Sequence, residues 1–391
     1  MMRILTKTSL LNDRSFQRLC ACSLLFFASF NMIIPELPDY LRSLGGEKYI
    51  GHIIFLFTIT ALLSRPFSGK WADAIGRVPI IVFGAAVSAL CGLLYLFTTS
   101  VFWFLALRLF HGFSTGFTPT GTSAYVADIV PVKRRGEAMG ILSLAGSVGM
   151  AMGPAFGSYL TLKFGYEALF MTSSLSGIAA VLWMMGLKEP LQHPVKFNSS
   201  MFRIRFHEFY EPRVLMPSLV MVLVVFSFGT MITLIPDRCK ELGLENRGLF
   251  FTVFTAASVL VRFGAGKISD RLGREKVLLV SSLLIALAMF VLGNASSLPL
   301  LFLGSVLFGL GNGINSPTIM AWSIDLSDIK YVGRAMATVY MALEIGIGGG
   351  AFLSGWAYTT NTHWYSSIFI ACSILCLLAF VILLNRIRLK S

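Results

Sequence analysis

Gly69-Lys-Trp-Ala-Asp73-Ala-Ile-Gly76-Arg77 and Gly266-Lys-Ile-Ser-Asp270-Arg-Leu-Gly273-Arg274 are two copies of one loop, 197 residues apart. Arg65 and Arg262 extend the match on one side. The same offset relates Asp128, Lys133, Gly136, Ala138 and Met139 to Asp325, Lys330, Gly333, Ala335 and Met336. Pro38-Asp39 and Leu44-Gly45 match Pro236-Asp237 and Leu242-Gly243 at an offset of 198. Three stretches agree on a period of half the chain, so the sequence is an internal duplication and any fold must be built twice.

The unit that is duplicated belongs in lipid. The chain is 55% hydrophobic and 13% charged over 391 residues, and its mean hydropathy is +0.76. A water-soluble globule of this length does not carry such a balance. A hydrocarbon core about 30 Å thick needs roughly 20 apolar residues per helix. The chain offers twelve such stretches: 16–38, 50–68, 78–99, 101–124, 138–160, 168–187, 214–236, 247–265, 277–295, 299–321, 335–357 and 364–385. Backbone amides in lipid must be satisfied within each segment, which makes these spans helices.

The net charge of +13 suggests a nucleic-acid partner until its distribution is read. With the N-terminus inside, the inward tails and connections, counting Arg18 at the inner edge of the first span, hold 23 of the 32 Lys and Arg. The outward loops hold six, namely Arg42, Lys48, Lys163, Arg238, Lys240 and Arg247. This is the positive-inside asymmetry of a multi-pass protein of the cell membrane with both termini cytoplasmic, and no nucleic acid is expected. Met1 to Arg18 is polar and basic and resembles no cleavable signal. The six cysteines lie almost entirely in apolar spans, without metal-site spacing, and read as small core residues.

The longest inward connection divides the chain into 1–187, a linker at 188–213, and 214–391. Phe202, Arg203, Arg205, Phe206, His207, Phe209 and Tyr210 interleave aromatic and basic side chains. They fit either a plain linker or a short helix lying on anionic headgroups.

The doubled loop resembles the signature of the major facilitator superfamily, and the resemblance covers the whole chain. It implies an all-α membrane protein of twelve spans in two pseudo-symmetric six-helix bundles, with a substrate site near the midplane. The departures are the lysines at 70 and 267 and Val78-Pro79 in place of a basic run. The loop works as a latch: glycines at 69, 76, 266 and 273 permit tight turns. Asp73 and Asp270 suit helix N-termini. Arg77 and Arg274 supply a second pairing that breaks when the halves rock, and Asp128 and Asp325, in the matching second stretch of each repeat, belong to the same candidate latch.

Several polar groups fall inside spans. Arg108, within Arg108-Leu-Phe-His111-Gly112, resembles the family's intramembrane arginine, which is associated with proton coupling or substrate binding. Burying a guanidinium costs at least about 2.5 kcal/mol, so it must face a cavity or a partner. His111 is either a titrating group beside the pathway or a hydrogen-bonded structural histidine. Gly149, Gly153-Pro154 and Gly157 in the fifth span resemble the signature of proton-coupled exporters of the same superfamily; ordinary tight helix packing is the other reading. The eleventh span keeps Gly346 and Gly350 but replaces Pro154 with Ala351.

Glu344 lies about ten residues into the eleventh span, roughly 15 Å deep. It is the first candidate for proton carrier, the competing role being a fixed ion pair or hydrogen bond beside the glycines. Glu36, near the outer end of the first span, is a third titratable candidate or a solvated helix-end carboxylate. Asn31 interrupts an apolar run and is expected to face the cavity. Phe30, Phe113, Phe117, Phe226 and Phe228 are candidates for its apolar wall.

These residues point to a secondary transporter working by alternating access, and the resemblance implies that it works as a monomer. The expected activity is proton-coupled efflux of a small amphipathic compound or drug, without cofactor or metal. A proton-coupled importer, or a sugar-type exporter or facilitator of the same fold, is the alternative. A receptor or membrane enzyme is disfavoured, because the chain has neither a nucleotide-binding loop, nor a zinc-type histidine cluster, nor an extramembrane catalytic domain.

Overall fold

The computed structural model describes residues 12–130, 135–191, 194–198, 201, 210–327 and 332–388. All regular structure among them is helical. Twelve α-helices follow in order: α1 Arg14–Ile33, α2 Leu37–Ser43, α3 His52–Ala74, α4 Arg77–Leu94, α5 Val101–Ile129, α6 Arg135–Met184, α7 Leu215–Glu241, α8 Gly248–Leu272, α9 Arg274–Gly293, α10 Leu298–Leu326, α11 Val332–Thr360 and α12 Tyr365–Arg388.

Nine helical stretches among the described residues are long and apolar enough to cross a membrane. One of them, Ala138–Met184, has 47 residues; at 1.5 Å per residue it runs roughly 70 Å, enough for two passes. Leu260, Phe97 and Phe102 are 70%, 70% and 71% exposed, a disposition that lipid tolerates and water does not.

Two expected boundaries shift for local reasons. The first span is interrupted: α1 ends at Ile33, a 3₁₀ turn covers Ile34–Glu36, and α2 begins at Leu37. Pro35 and Pro38 each lack the amide hydrogen that would continue the α ladder. The fifth and sixth spans join more tightly than expected, because α6 is broken only at Gly165, whose φ of 81° favours glycine. The segment 202–210, open to either a plain linker or an interfacial helix, falls almost entirely on 202–209, outside the described residues.

The chain forms two compact units. The first contains Met1–Ile34 with Thr60–Phe206, and the second contains Pro35–Ile59 with His207–Ser391. In the first, α1 packs along α6 and α4 lies against α5 and α6. In the second, α7 packs along α11, α10 lies against α8 and α9, and α12 lies against α9 and α7. The segment 35–59, from the first sequence repeat, thus belongs structurally with the second.

Helix starts follow ordinary chemistry. Asp13 caps α1 by accepting from the Phe16 amide at 2.9 Å. The start of α4 is capped from a distance: the Glu189 carboxylate accepts from the Arg77 and Val78 amides, each at 2.9 Å, where the helix dipole favours an anion.

Candidate functional site

In the first unit, α6 meets α1 through glycine. A β-carbon on Gly153 would lie 3.0 Å from the Ala28 carbonyl oxygen, and one on Gly149 would lie 3.0 Å from the Ala28 amide nitrogen. Gly157 faces the Met32 carbonyl more closely still. Pro154 sits inside this contacting stretch. The counterpart in the second unit packs α11 on α7, with Gly346 against Val222 and Gly350 against the Phe226 backbone. The two contacts are built alike, and only the first contains a proline.

A chain of buried polar groups crosses the first unit beside this contact. Arg108 is 2% exposed and donates to the Tyr95 hydroxyl at 3.3 Å. His111 is fully buried; its Nδ1 lies 3.5 Å from the same hydroxyl and its Nε2 lies 3.4 Å from Ser88 Oγ. Ser88 then reaches Ser29 at 3.1 Å, and Ser29 and Ser173 each donate to the other's carbonyl at 2.8 Å. Tyr95 therefore brings Arg108 and His111 together, a link that Tyr95's place at the end of the third span does not advertise. Such a chain can relay or trap a proton.

The signature arginines take the same partner in both repeats. Arg77 Nε lies 3.0 Å from Asp128 Oδ2, and Arg274 Nε lies 2.9 Å from Asp325 Oδ2. Arg77 also donates to the Ala72 carbonyl, while Arg274 donates to Ser269 Oγ at 3.0 Å. The turn glycines Gly76 and Gly273 have φ of 133° and 89°. Gly69 has open space around it. Asp73 and Asp270 fall in the last turns of α3 and α8 and Gly69 lies inside α3, not at the helix N-termini and turn expected of them, because each helix runs on through the signature to the glycine turn; the side chains of Asp73 and Asp270, and Gly266, lie outside the described residues.

Other candidates are scattered. Asn31 is 8% exposed and donates to the Phe27 carbonyl one turn back, at 2.7 Å. Phe113 meets Phe110 edge to face, lies tilted against Phe117 and packs on a cluster of Ala72, Ile80 and Phe117. In the second unit, Phe226 lies along the glycines of α11, and Phe228 stacks on Phe308 and lies tilted against Phe254. Glu344 and Glu36 are 5% and 4% exposed.

The sequence reading missed a charged cluster in the second unit. Arg42 donates to Asp237 Oδ1 at 2.8 Å, and a second nitrogen reaches Oδ2. Asp39 accepts from Arg42 at 2.8 Å, Arg247 at 2.6 Å and Lys240 at 3.4 Å. The signal was present in the repeat of Pro-Asp, followed three residues later by a basic residue in both copies.

Duplicated helical units, twin arginine–aspartate latches and intramembrane polar groups define a polytopic carrier rather than a catalyst. The chain belongs to the Major Facilitator Superfamily, whose model matches residues 19–247 and 241–390. It is a multi-pass membrane transporter with that family's twelve-span fold. It is 28% identical over 381 residues to the multi-drug resistance efflux pump PmrA of Streptococcus pneumoniae, covering 93% of each chain. It is 27% identical over 374 residues to the multidrug resistance protein MdtG of Salmonella arizonae, covering 92% of this chain and 90% of that one. The human organic anion transporter MFSD10 shares the fold, with a TM-score of 0.75 at 20% identity over 95% of this chain and 99% of that one.

Proposed function

We propose that this chain is a proton-coupled exporter of small amphipathic molecules, drugs among them, in the cell membrane. The observation that carries the reading is its nearly end-to-end similarity to proteins named as multidrug efflux and resistance proteins. The glycine–proline face of α6 seated on α1 supports the same direction of transport.

In this reading the protein works as a monomer by alternating access, the parts on either side of linker 188–213 changing their mutual arrangement. The excess of Lys and Arg on the signature-loop side supports a cytoplasmic placement of that side and of both termini. The substrate moves against its gradient because protons moving inward shift the balance between the two facings. Glu344, Arg108, His111 and Glu36 are the groups proposed to couple to those protons. Asn31, Arg108, Phe113, Phe226 and Glu344 are those proposed to border the substrate path.

The test is transport by the purified protein in liposomes under an imposed pH gradient, with a panel of dyes, drugs and sugars. Gradient-driven movement of dyes or drugs out of the compartment facing the signature loops is the expected result. Movement indifferent to the gradient would make the protein a facilitator. Gradient-driven movement in the opposite direction would make it an importer.

A further inference from the structure

The turns at Gly76 and Gly273 are the same feature of the two repeats, and the chain fills only the first. There the Glu189 carboxylate sits against Gly76, where a β-carbon would stand 2.6 Å from its Oε2. The same carboxylate accepts from the Arg77 and Val78 amides. Tyr125, fully buried, donates from its hydroxyl to the carbonyl of the preceding Lys188 at 2.9 Å. In the second repeat nothing lies within 4 Å of a β-carbon placed on Gly273. A cavity of about 410 Å³ adjoins that turn, lined by Leu272, Arg274, Lys276, Trp322 and Ile387 among others.

The lining changes with the vacancy. At the repeat offset of 197, Arg271 stands where the first copy has Ala74, Lys276 where it has Pro79, and Trp322 where it has Tyr125. The end of α12 adds Arg386 and Arg388. The two neighbouring acids are already answered, Glu275 by Arg386 at 2.6 Å and Asp325 by Arg274 at 2.9 Å. Arg386 also lies over the Trp322 ring, 5.6 Å from its centroid. Five cations therefore surround the cavity against two carboxylates. A general inward bias of charge would load both turns alike, and the first turn carries neither the added arginine nor the added lysine. The rim is apolar as well: Leu272 is 59% exposed, and Ile268, one turn earlier on α8, is 50% exposed.

We propose that this cavity binds the headgroup of an anionic phospholipid, with Lys276 and Arg274 facing the phosphodiester and Leu272 lying along an acyl chain. The first repeat shows which chemistry the corner accepts, because it seats a carboxylate of its own there. The second repeat leaves the place to an anion from outside. Basic pockets between helix ends at the inner surface of a membrane suit anionic headgroups. Free phosphate offers the same charge, but the exposed leucine and isoleucine match a ligand with a hydrocarbon tail. Such a lipid joins the Gly273 turn to α12 and so ties the Arg274–Asp325 latch to the composition of the bilayer. That it comes from the inner leaflet rests on the orientation given above.

The experiment is native mass spectrometry of the full chain in detergent, stripped of lipid and offered equimolar phosphatidylglycerol and phosphatidylcholine. The parent should retain at least about tenfold more phosphatidylglycerol, since each nearby cation favours an anionic headgroup by about a factor of five. Lys276→Glu should lower that retention at least about fivefold. Leu272→Glu should do the same by supplying an internal carboxylate, as Glu189 does in the first repeat. Lys188→Glu, the same charge change just past α6, should match the parent. An excess of inorganic phosphate should leave the retained lipid in place.

Equal retention of the two lipids by the parent refutes the site. Equal losses from Lys276→Glu and Lys188→Glu refute it too, by reducing the effect to a general attraction of the basic side. Displacement by inorganic phosphate would make the cavity a soluble-anion site and overturn the lipid assignment. If Lys276→Glu does not fold, Leu272→Glu decides in its place. Neither a pH gradient nor a drug enters this measurement, so a protein that fails to export dyes yet holds phosphatidylglycerol through Lys276 would sink the efflux reading and leave the lipid site standing.

Discussion

Arg77 holds Asp128 at 3.0 Å across the turn at Gly76, and the chain repeats this pairing 197 residues later in Arg274 and Asp325. The repetition separates role from accident, since each repeat reached the same geometry with different neighbours: Arg77 also binds a carbonyl and Arg274 a serine. The aspartates are 34% and 53% exposed, so each pair contributes at most about 1 kcal/mol to stability. Asp128→Asn and Asp325→Asn should therefore leave the melting temperature nearly unchanged while slowing transport several-fold, the double variant more than either. A large drop in melting temperature with unchanged transport per folded molecule would make the latches purely structural.

The glycine face of α6 makes a sharper prediction, because the same helix supplies its own control. Gly149 and Gly153 have no room for a β-carbon against α1, whereas Gly140 has nothing within 4 Å. Gly149→Val and Gly153→Val should cost most of the folded, monodisperse yield on size-exclusion chromatography. Gly140→Ala should match the parent or exceed it slightly, since alanine favours helix by about 1 kcal/mol over glycine. Equal yields for all three would mean that α1 and α6 do not pack as described.

Tyr95 bridges Arg108 and His111 with one hydroxyl, so Tyr95→Phe tests the buried chain without altering its shape. Removing a partner from buried donors costs about 1–3 kcal/mol. The expected outcome is a lowered melting temperature and impaired gradient-driven transport, with apparent substrate affinity changed less. Arg108→Lys should not rescue, because an ammonium cannot reproduce a planar guanidinium's reach. Normal transport by Tyr95→Phe would leave the hydroxyl without a part in coupling.

The duplication, the number of spans and the doubled signature loop were legible because lipid imposes them residue by residue. Hydropathy sets each span, and a repeated loop keeps its partner at a fixed offset. What stayed hidden depends on segments meeting in space. Arg42, Lys240 and Arg247 read as loop charges, since nothing local says that Asp39 and Asp237 will face one another's basic residues. Asn31 reads as a cavity group because it breaks an apolar run; that its amide also donates to the Phe27 carbonyl one turn back was not legible. The proline pair at 35 and 38 was visible, but that the chain changes structural unit there was not. Tyr95 carried no signal at all, since a tyrosine ending a span is ordinarily an interfacial anchor.

Glu344 gives the most discriminating test of coupling. It is 5% exposed on α11, one helical turn before Gly348, which faces Thr58 and lies near Phe55. Residues four apart share a helix face, so this carboxyl shares the stripe by which α11 receives α3. If the proton rides here, its neutral form permits the transition between facings and its charged form hinders it. Glu344→Gln imitates the neutral form permanently. It should therefore keep substrate exchange across a membrane without a gradient, lose uphill transport driven by pH, and lose most of the pH dependence of the exchange rate. Glu344→Ala leaves the stripe short of both volume and hydrogen-bonding capacity, and should be slower in both assays. Counterflow and gradient-driven transport measured on the same liposomes separate these outcomes. Loss of both activities by Glu344→Gln would assign the carboxylate to a fixed polar contact beside the glycines of α11, and retention of pH-driven uphill transport would place the proton elsewhere.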